Sequence, residues 1–409
     1  MKFIHTADLH LDSPFLGLKH VPEDLMDQIY HSTFKSFEQI INDAISLNVD
    51  FICIAGDIFD RDEHSMAAEN FFVSQCERLN KKNIPVYLCY GNHDYQNVES
   101  NHVLMPDNVH VFKNSVETKT LTTRSGEKVA ISGFSYASRW INSDEVVDYP
   151  LHSSMSDWHI GMLHGAIASG TAKQDNYAPF SLDELKSKRY DYWALGHIHK
   201  RQILNDTPPI VYSGNTQGRH KNETGEKGYY LVTSSGRQLV PEFHAVSTIN
   251  WQTISIKLLK HETINEFLTR FESVVSDTID NQDIPTLVSV SITSINNESE
   301  SFRVQLANGA ILARMQMMAK NRNYHYWPFE IRLPKTDEIP QISGIDQHFW
   351  LNASDEVFQI KAIAELADKL FSQDFIEKKF NNENAVSLLK NKSVSYIDET
   401  VRKGHRHED

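Results

Sequence analysis

Short apolar runs that stop abruptly at polar residues recur along the first half of the chain. The run Phe51–Ala55 is followed by Gly56 and Asp57, a pattern typical of a strand that is buried on both faces of a sheet. The Asp57 carboxylate then stands at the carboxyl end of the strand, where α/β sheets place their functional sites. Four similar runs also stop at a residue that can bind a metal ion: Lys2–Ala7 at Asp8, Val86–Gly91 at Asn92, Trp158–Leu163 at His164 and Tyr192–Gly196 at His197.

Helical periodicity between the first three runs predicts two helices, over about 22–47 and about 65–82. The order strand, helix, strand, helix, strand indicates parallel strands joined by right-handed crossovers. From about residue 109 the predicted strands follow one another closely, with one further helix over 182–188. We therefore predict an α/β fold, a sandwich of two mixed sheets flanked by helices (α-β-β-α), over residues 1–246.

The pattern changes after residue 250. Strands and helices alternate over 251–333 and predict a small α+β domain. Residues 334–353 contain Pro334, Pro340 and Gly344 with few apolar positions, which is typical of a linker. Residues 354–409 are predicted to be a helical C-terminal segment, whose apolar stripes pack either on the same chain or on a partner.

The composition of the 409 residues, 40% hydrophobic and 23% charged, is that of an ordinary soluble globular protein. No apolar run approaches the roughly 20 residues that a membrane-spanning helix needs, and the N-terminus lacks the apolar core of a signal peptide. The three cysteines include no CxxC pair, which argues against a disulfide framework. We therefore expect a cytoplasmic protein.

The net charge of -14 is unevenly distributed along the chain. Residues 1–100 contain 7 Lys and Arg against 16 Asp and Glu, whereas residues 101–250 contain 15 of each kind. Two divalent cations would add about +4 to the acidic part. The net charge therefore neither excludes nor favours a nucleic-acid substrate.

The residue types at the ends of the apolar runs suit catalytic metal ions. Carboxylates and an asparagine carbonyl bind hard cations, imidazoles bind Mn, Fe, Ni or Zn, and the lack of cysteine indicates an open catalytic site. Two cations ~3.5–4 Å apart can hold an attacking hydroxide and a leaving oxygen at phosphorus, provided that one ligand touches both, and Asp57 is the candidate. A single histidine at a strand end is usually a capped or solvated residue, but five successive strand ends of this kind predict a metal site.

The motifs, in their order along the chain, resemble those of the calcineurin-like metallophosphoesterases. They are Asp8-Leu9-His10, Gly56–Asp60, Gly91–Asp94, His164-Gly165 and Gly196–His199, and they cover residues 1–245. Within that family the chain is most similar to the SbcD-type DNA repair exonucleases. The stretch Tyr212–His220, together with the size and order of the C-terminal parts, favours the YhaO-like branch.

The resemblance implies two metal ions, most often manganese in this family. One ion would be bound by Asp8, His10, Asp57 and His199, and the other by Asp57, Asn92, His164 and His197. His93 would not bind metal but would stabilise the transition state or protonate the leaving oxygen, with Asp94 orienting its ring. Eukaryotic and archaeal nuclease subunits carry a second catalytic histidine three residues after the bridging aspartate. This chain has Asp60 there, and both Asp60 and His64 are candidates for that role.

Weaker predictions concern contacts with a substrate. Four residues close to the last motifs are candidates for contact with phosphate groups, with a solvated surface as the alternative: Lys200, Arg201, Asn215 and Arg219. Three tryptophans are candidates for base stacking, with core packing as the more common alternative: Trp140, Trp158 and Trp193.

The function expected from the resemblance is that of a manganese-dependent DNA nuclease in DNA repair, exonucleolytic and also endonucleolytic, acting by in-line hydroxide attack on a phosphodiester. In such nucleases a domain like 251–333 shapes access of DNA, and a helical segment like 354–409 docks an SMC-like ATPase; many relatives are homodimers. Two alternatives share the fold. One is a small-molecule phosphodiesterase or phosphatase with the same metal ligands, and the other is a scaffold without metals, against which the seven occupied ligand positions count.

Overall fold

The computed structural model consists of two compact units, Met1–Pro334 and Lys335–Asp409. In the first unit the described residues are 1–15, 18, 21–60, 65–95, 104–168, 176–279, 284–295 and 300–333. In the second they are 353, 355–366, 382, 385, 386, 389, 390 and 393, and they include a helix Ile360–Leu366. All of the predicted linker 334–353 except residue 353, and most of the predicted helical segment 354–409, therefore lie outside the described residues. Within the described ranges, no helix has both the length and the apolar character needed to span a lipid bilayer.

Strands and helices are numbered here in chain order. The described strands are β1 Lys2–Thr6, β2 Phe51–Ala55, β3 Val86–Cys89, β4 Val109–Val111, β5 Glu117–Thr122, β6 Lys128–Gly133, β7 Trp158–His164, β8 Tyr192–Gly196, β9 Gln202–Asp206, β10 Pro209–Tyr212, β11 Gly228–Ser235, β12 Gln238–Ala245, β13 Asn250–Leu258, β14 Thr286–Ile295 and β15 Tyr326–Arg332. The helices of the first unit are α1 Glu23–Tyr30, α2 Ser32–Ser46, α3 Met66–Asn80, α4 Leu182–Ser187, α5 Ile264–Ile279, α6 Glu300–Ala307 and α7 Ala310–Asn321.

Two six-stranded sheets form the sandwich. The first has the order β12-β11-β1-β2-β3-β4 and the second the order β5-β6-β7-β8-β10-β9. Strands β1 to β4 run parallel, as do β6, β7, β8 and β10, while the outer strands β12, β11, β5 and β9 pair antiparallel. The carboxyl ends of the parallel strands in each sheet therefore meet at one edge.

The core of the sandwich lies between the two sheets and continues beneath the helices. Between the sheets, Phe3 stacks on Phe51 with ring centroids 4.8 Å apart and meets the edge of Tyr192 at 5.5 Å. Helices α2 and α3 cover the outer face of the first sheet, and α4 covers that of the second. These four layers confirm the predicted α-β-β-α fold.

Residues 250–332 form a separate three-stranded sheet, with the order β13-β14-β15 and all strands parallel. Helices α5 and α7 pack on it through apolar residues such as Phe271 and Met315. The same core takes in Phe15, Leu25 and Ile29 from the N-terminal part of the chain. The predicted alternation of strands and helices in this region is thus present.

One predicted helix is two helices in the structure. The helix predicted over about 22–47 breaks at His31, between α1 and α2. The reason is that the two halves bury their apolar faces against different cores: Leu25 and Ile29 pack on the three-stranded sheet, whereas Phe37 and Ile40 pack on the first sheet of the sandwich. A single straight helix cannot bury its apolar face in both cores.

Two further differences follow from local sequence. Strand β9 was not predicted, because Gln202–Asp206 is a half-buried edge strand without a continuous apolar run. Where the alternation over 251–333 predicts a helix between β14 and β15, the structure has two, α6 and α7, divided at Gly309, whose φ of 82° lies in the left-handed region that glycine adopts without strain.

The segment 213–223, which follows β10, connects the sandwich with the three-stranded sheet. The Gln217 side chain donates to the Ile249 carbonyl at 2.6 Å and accepts from the Thr248 amide at 2.9 Å. The Trp251 indole donates to the Gly218 carbonyl at 2.8 Å. The part of the chain after residue 246 is therefore anchored to a loop that also reaches the site described next.

Candidate metal centre

All seven predicted metal ligands lie among the described residues, and they come together at one edge of the sandwich. They follow or end strands β1, β2 and β3 of the first sheet and β7 and β8 of the second: Asp8, His10, Asp57, Asn92, His164, His197 and His199. Backbone hydrogen bonds link the first two loops, because the Asp8 amide donates to the Gly56 carbonyl at 3.0 Å and the His10 amide to the Asp57 carbonyl at 3.1 Å. The loops are thus held in fixed register.

The backbone is strained at four of these positions. Asp8, His10, Asp57 and His197 have φ values of 52°, 42°, 52° and 98°, in the left-handed region that costs a non-glycine residue of order 1–3 kcal/mol. Such strain persists where the surroundings over-determine the conformation. The left-handed backbone conformation turns these four side chains inwards at the ends of their strands.

Glycines allow the strand ends at the centre to approach closely. A Cβ atom on Gly196 would lie 1.9 Å from the Ala55 carbonyl oxygen, and one on Gly91 would lie 2.2 Å from Asp57 Oδ1. Neither position can carry a side chain without moving the backbone or a ligand. The glycines of the motifs are therefore needed for the packing of the centre.

Asp8, His10 and His199 form one candidate group of ligands, with their ligand atoms within 4.8 Å of one another. His10 Nε2 lies 3.0 Å from His199 Nε2. Asp8 is fully buried and accepts from the His197 amide at 3.0 Å. The two imidazoles and the carboxylate thus face a common point.

Asp8, Asp57 and His164 form a second candidate group within the same distance limit. Asn92 Oδ1 completes it, at 3.0 Å both from His164 Nε2 and from His197 Nδ1. Asp8 is the carboxylate common to both groups. Asp57 nevertheless lies between them, since its Oδ2 is 3.7 Å from His10 Nε2 and 3.4 Å from His164 Nε2, which is the position that a bridging ligand needs.

Two of the histidines have the ring nitrogen that faces away from the centre held by a hydrogen bond. His164 Nδ1 lies 3.0 Å from the Ala55 carbonyl, and His199 Nδ1 lies 2.6 Å from Glu223 Oε1. A carbonyl or carboxylate partner of this kind places the proton on Nδ1 and leaves Nε2 free as a ligand. Both Nε2 atoms accordingly point into the centre.

The electrostatics of the centre favour a positive charge. Burial disfavours the charged form of His164, but the Asp57 carboxylate outweighs it and raises the pKa of the imidazole to about 9. Burial also opposes ionisation of Asp57, yet His164 and His10 hold the pKa of that carboxyl well below its ordinary value. Burial raises the pKa of Asp8. The pocket around His164 and Asp57 holds a proton, so it has the negative potential that a divalent cation requires. Its carboxylate, amide and imidazole donors are also those of a metal site, and the residues therefore fit two metal ions.

His93 lies beside the two groups without joining either. Its backbone amide donates to Asp57 Oδ1 at 2.9 Å, and its ring meets the edge of the His10 ring with centroids 5.0 Å apart. The His93 Nδ1 atom lies 2.7 Å from the Asp60 carbonyl oxygen, to which it donates. The ring is half-buried. Because Nδ1 is engaged by the carbonyl, Nε2 is the ring atom that can exchange a proton with a bound substrate.

The prediction that Asp94 orients the His93 ring is wrong. The buried Asp94 carboxylate instead accepts from the Gly91 and Ile58 amides, each at 2.6 Å. Burial and the nearby Asp57 raise the pKa of Asp94 to about 7, against the effect of those two amides. Asp94 therefore clamps the loop after β3 to the loop after β2, and the Asp60 carbonyl orients the ring.

Glu223 is the residue of the centre that the sequence analysis missed. Its Oε1 accepts from His199 Nδ1, and its Oε2 accepts from Asn215 Nδ2 at 2.9 Å and from the Arg219 amide at 2.7 Å. Burial works against ionisation, but the hydrogen bond and charge of His199 lower the pKa of Glu223 to about 2. No spacing rule points to it, because it lies on the segment after β10 and reaches His199 only through the fold.

The Glu223→Gln variant is expected to bind the metal ion at His199 roughly 10- to 100-fold more weakly, because the neutral amide no longer orients the imidazole or increases its basicity. The measurement is Mn²⁺ titration by isothermal calorimetry, with Glu226→Gln, an exposed residue three positions on, as the matched control. Unchanged affinity at both metal sites would contradict the role given to Glu223.

The four predicted substrate residues have different positions. Asn215 is buried and holds Glu223. Arg219 forms an ion pair with Asp60 and has one guanidinium nitrogen 3.5 Å from His199 Nδ1. The Arg201 guanidinium stacks on the Phe243 ring at 3.5 Å, and Lys200 is exposed. Among the described residues, no hydrogen bond joins the side chain of Lys200 or Arg201 to the seven ligands.

Asp60 takes part in the centre through Arg219 and His93. Its Oδ1 atom also lies 3.6 Å from His10 Nδ1, a buried nitrogen that has no hydrogen-bond partner among the described residues. The other candidate for that role, His64, lies outside the described residues. An Asp60–Arg219 ion pair thus stands next to the predicted first metal ion.

Several known proteins resemble this chain in part. The sequence profile of the calcineurin-like phosphoesterase family matches residues 1–201. The uncharacterized metallophosphoesterase YhaO of Bacillus subtilis (strain 168) is 41% identical over 278 residues, which are 68% of this chain and 68% of that protein. The DNA double-strand break repair protein Mre11 of Methanocaldococcus jannaschii is 26% identical over 287 residues, 66% of this chain and 73% of its own length. A dimetal phosphatase from Danio rerio superposes with a TM-score of 0.35 at 9% identity, over 60% of this chain and 98% of its own.

Proposed function

This chain belongs to the calcineurin-like metallophosphoesterases, and from that membership we propose that it hydrolyses phosphodiester bonds of DNA with two divalent cations. Membership makes the protein a metal-dependent phosphoesterase. The proposal adds DNA as the substrate, exonucleolytic and also endonucleolytic cleavage in DNA repair, and manganese as the metal. The observation that carries it is the convergence of ligands from five strand ends on two groups that share Asp8 and enclose Asp57.

The side chains of the centre would hold the two ions as the sequence resemblance implies. Asp8, His10 and His199 would bind one ion, and Asn92, His164 and His197 the other, with Asp57 between them. When bound, two such cations neutralise charge on the phosphoryl group and lower the pKa of an attacking water. Against the effect of burial, the His164 and His10 imidazoles hold the pKa of the Asp57 carboxyl well below its ordinary value, so the residue offers a charged carboxylate to the ions.

His93 supplies the proton chemistry that the ligands cannot supply. Its Nδ1–H is engaged by the Asp60 carbonyl, so a proton can be held and moved only at Nε2. The His93 backbone amide donates to Asp57 Oδ1, and the His93 ring meets the edge of the His10 ring. These contacts support the proposal that His93 protonates the leaving oxygen or stabilises charge on the phosphoryl group.

DNA as the substrate is supported by two observations. The first is the similarity to Mre11, a DNA double-strand break repair protein. The second is the three-stranded sheet of 250–332, which is anchored to the 213–223 segment that carries Glu223. Lys221 of this segment also forms an ion pair with Glu330 at 2.9 Å. A small-molecule phosphatase needs no such addition. We propose that 251–333 shapes the access of DNA to the centre.

The partners are proposals of the same kind. An SMC-like ATPase would dock on the predicted helical segment 354–409. Two copies of the chain would form a homodimer. Co-purification of an ATPase with the full chain tests the first, and the molar mass in solution tests the second.

The function is tested by measuring cleavage of linear DNA beside bis-p-nitrophenyl phosphate. We expect both to be cleaved in Mn²⁺ and neither after chelation of the metal, with Mg²⁺ and Zn²⁺ assayed in parallel to test the choice of metal. Cleavage of the small ester alone would favour a small-molecule phosphodiesterase or phosphatase. A lack of cleavage of either substrate would favour a scaffold.

A further inference from the structure

The three tryptophans that were candidates for base stacking have different surroundings. Trp158 and Trp193 are buried, with exposed fractions of 7% and 0%, and belong to the core. Trp140 is 58% exposed. Core packing therefore explains the first two, whereas more than half of Trp140 is exposed to solvent.

Trp140 lies close along the chain to residues that pack around the metal centre. Four residues before it, the Tyr136 ring meets the edge of His164 with centroids 5.6 Å apart, so that Trp140 lies within about 14 Å of Tyr136 along the chain. Directly after it, Ile141 pairs with Tyr177, and the Tyr177 ring lies 4.5 Å from that of His197. Tyr136, on one side of Trp140, thus contacts a ligand of the predicted second metal ion, and Ile141, on the other side, pairs with a residue that contacts another ligand.

Hydrogen bonds fix the backbone around Trp140, although more than half of the residue is exposed. The Ile141 amide donates to the Asn176 carbonyl at 3.0 Å, and the Ala178 amide donates to the Ile141 carbonyl at 2.8 Å. The Ser138 hydroxyl donates to the Trp140 carbonyl at 2.9 Å. An aromatic ring on an ordered backbone loses little conformational freedom when it binds a ligand.

Arg139 stands next to the exposed ring. Its guanidinium carbon lies 5.7 Å from the centre of the Trp140 ring, and the described carboxylates include none within ion-pair distance of it. A cation beside an exposed aromatic ring matches a nucleic-acid strand, whose bases stack and whose phosphates carry charge.

We propose that Trp140 and Arg139 form a binding site for the substrate strand, in which Trp140 stacks on a base near the phosphate to be cleaved and Arg139 contacts a neighbouring phosphate. This inference rests on the proposed function, since it names residues that hold DNA at the same centre. It assigns to these residues binding of the strand, and no part in the chemical step.

The test compares wild type, Trp140→Ala and Trp140→Phe on a single-stranded oligonucleotide and on bis-p-nitrophenyl phosphate. For Trp140→Ala we expect kcat/KM on DNA to fall roughly 5- to 100-fold, the range that loss of one base stack implies. Activity on the small ester should be unchanged, and Trp140→Phe should recover most of the loss on DNA. Met155→Ala, which removes another exposed apolar side chain of the sandwich, is the control.

A series of oligonucleotides with a single abasic position adds a readout that a structural role would not change. Wild type should lose activity when the abasic position is the stacked one, and Trp140→Ala should be insensitive to it. If wild type cleaves the small ester but no DNA, the proposed function fails and this inference with it. If wild type cleaves DNA and Trp140→Ala equals it, or loses activity equally on both substrates, only the Trp140 site is overturned, and a protein-docking role for this ring becomes the better interpretation.

Discussion

Replacing Asp57 with asparagine is expected to abolish phosphodiester cleavage and to weaken the binding of both metal ions. The amide oxygen of asparagine can still accept from the His93 amide, so the substitution removes the charge and keeps the shape. That charge lies between ligands of both groups, 3.7 Å from His10 Nε2 and 3.4 Å from His164 Nε2. We expect a loss of roughly 10³-fold or more in kcat, because metal ions supply several kcal/mol of transition-state stabilisation.

Metal binding to the Asp57→Asn variant is measured by Mn²⁺ calorimetry, and the fold of the metal-free variant by thermal unfolding. The matched control is Asp183→Asn, the same chemical change at an exposed position on α4. An Asp57→Asn protein that binds two ions with wild-type affinity would refute the bridging role. Loss of only one ion would assign Asp57 to that ion, and Asp8, which belongs to both candidate groups, would become the bridging ligand.

Replacing His93 with alanine is expected to lower kcat by about 10²- to 10⁴-fold, the usual effect of losing a general acid, while both metal ions stay bound. The reason lies in which atoms of His93 contact the centre. Its bond to Asp57 comes from the backbone amide, which alanine retains, whereas its ring makes its hydrogen bond to the Asp60 carbonyl. The ligand geometry should therefore survive the substitution.

The choice of substrate separates the two roles open to His93. A p-nitrophenolate leaves without a proton, whereas the alkoxide of DNA needs one, so a general acid should matter more for DNA than for bis-p-nitrophenyl phosphate. A loss of similar size on both substrates would instead assign His93 to charge stabilisation. His152→Ala, at a histidine that pairs with Asp191 at 3.0 Å outside the centre, is the control, and metal loss in His93→Ala would show that His93 is a ligand.

Much of the sandwich could be predicted, because burial on both faces of a parallel strand leaves a continuous apolar run in the sequence. The runs ending at Asp8, Asp57 and His164 are strands in the structure. The helix over 22–47 could not be predicted as two helices, since its break at His31 depends on two different cores. Strand β9 left too weak a pattern at an edge of the sheet.

The sequence by itself determined which kinds of ligand stand at which strand ends, because residue type and strand register are local properties. Only the tertiary structure decided which atoms meet. Glu223 accepts a hydrogen bond from His199, and Asp94 binds the amides of the loops after β3 and β2 and does not bind the His93 ring. The structure also decided that Trp140 is exposed. The physical reason is that these contacts join loops that follow different strands and lie far apart in the chain. Their distances are set by the pairing and packing of the strands, and no spacing along the chain records that packing.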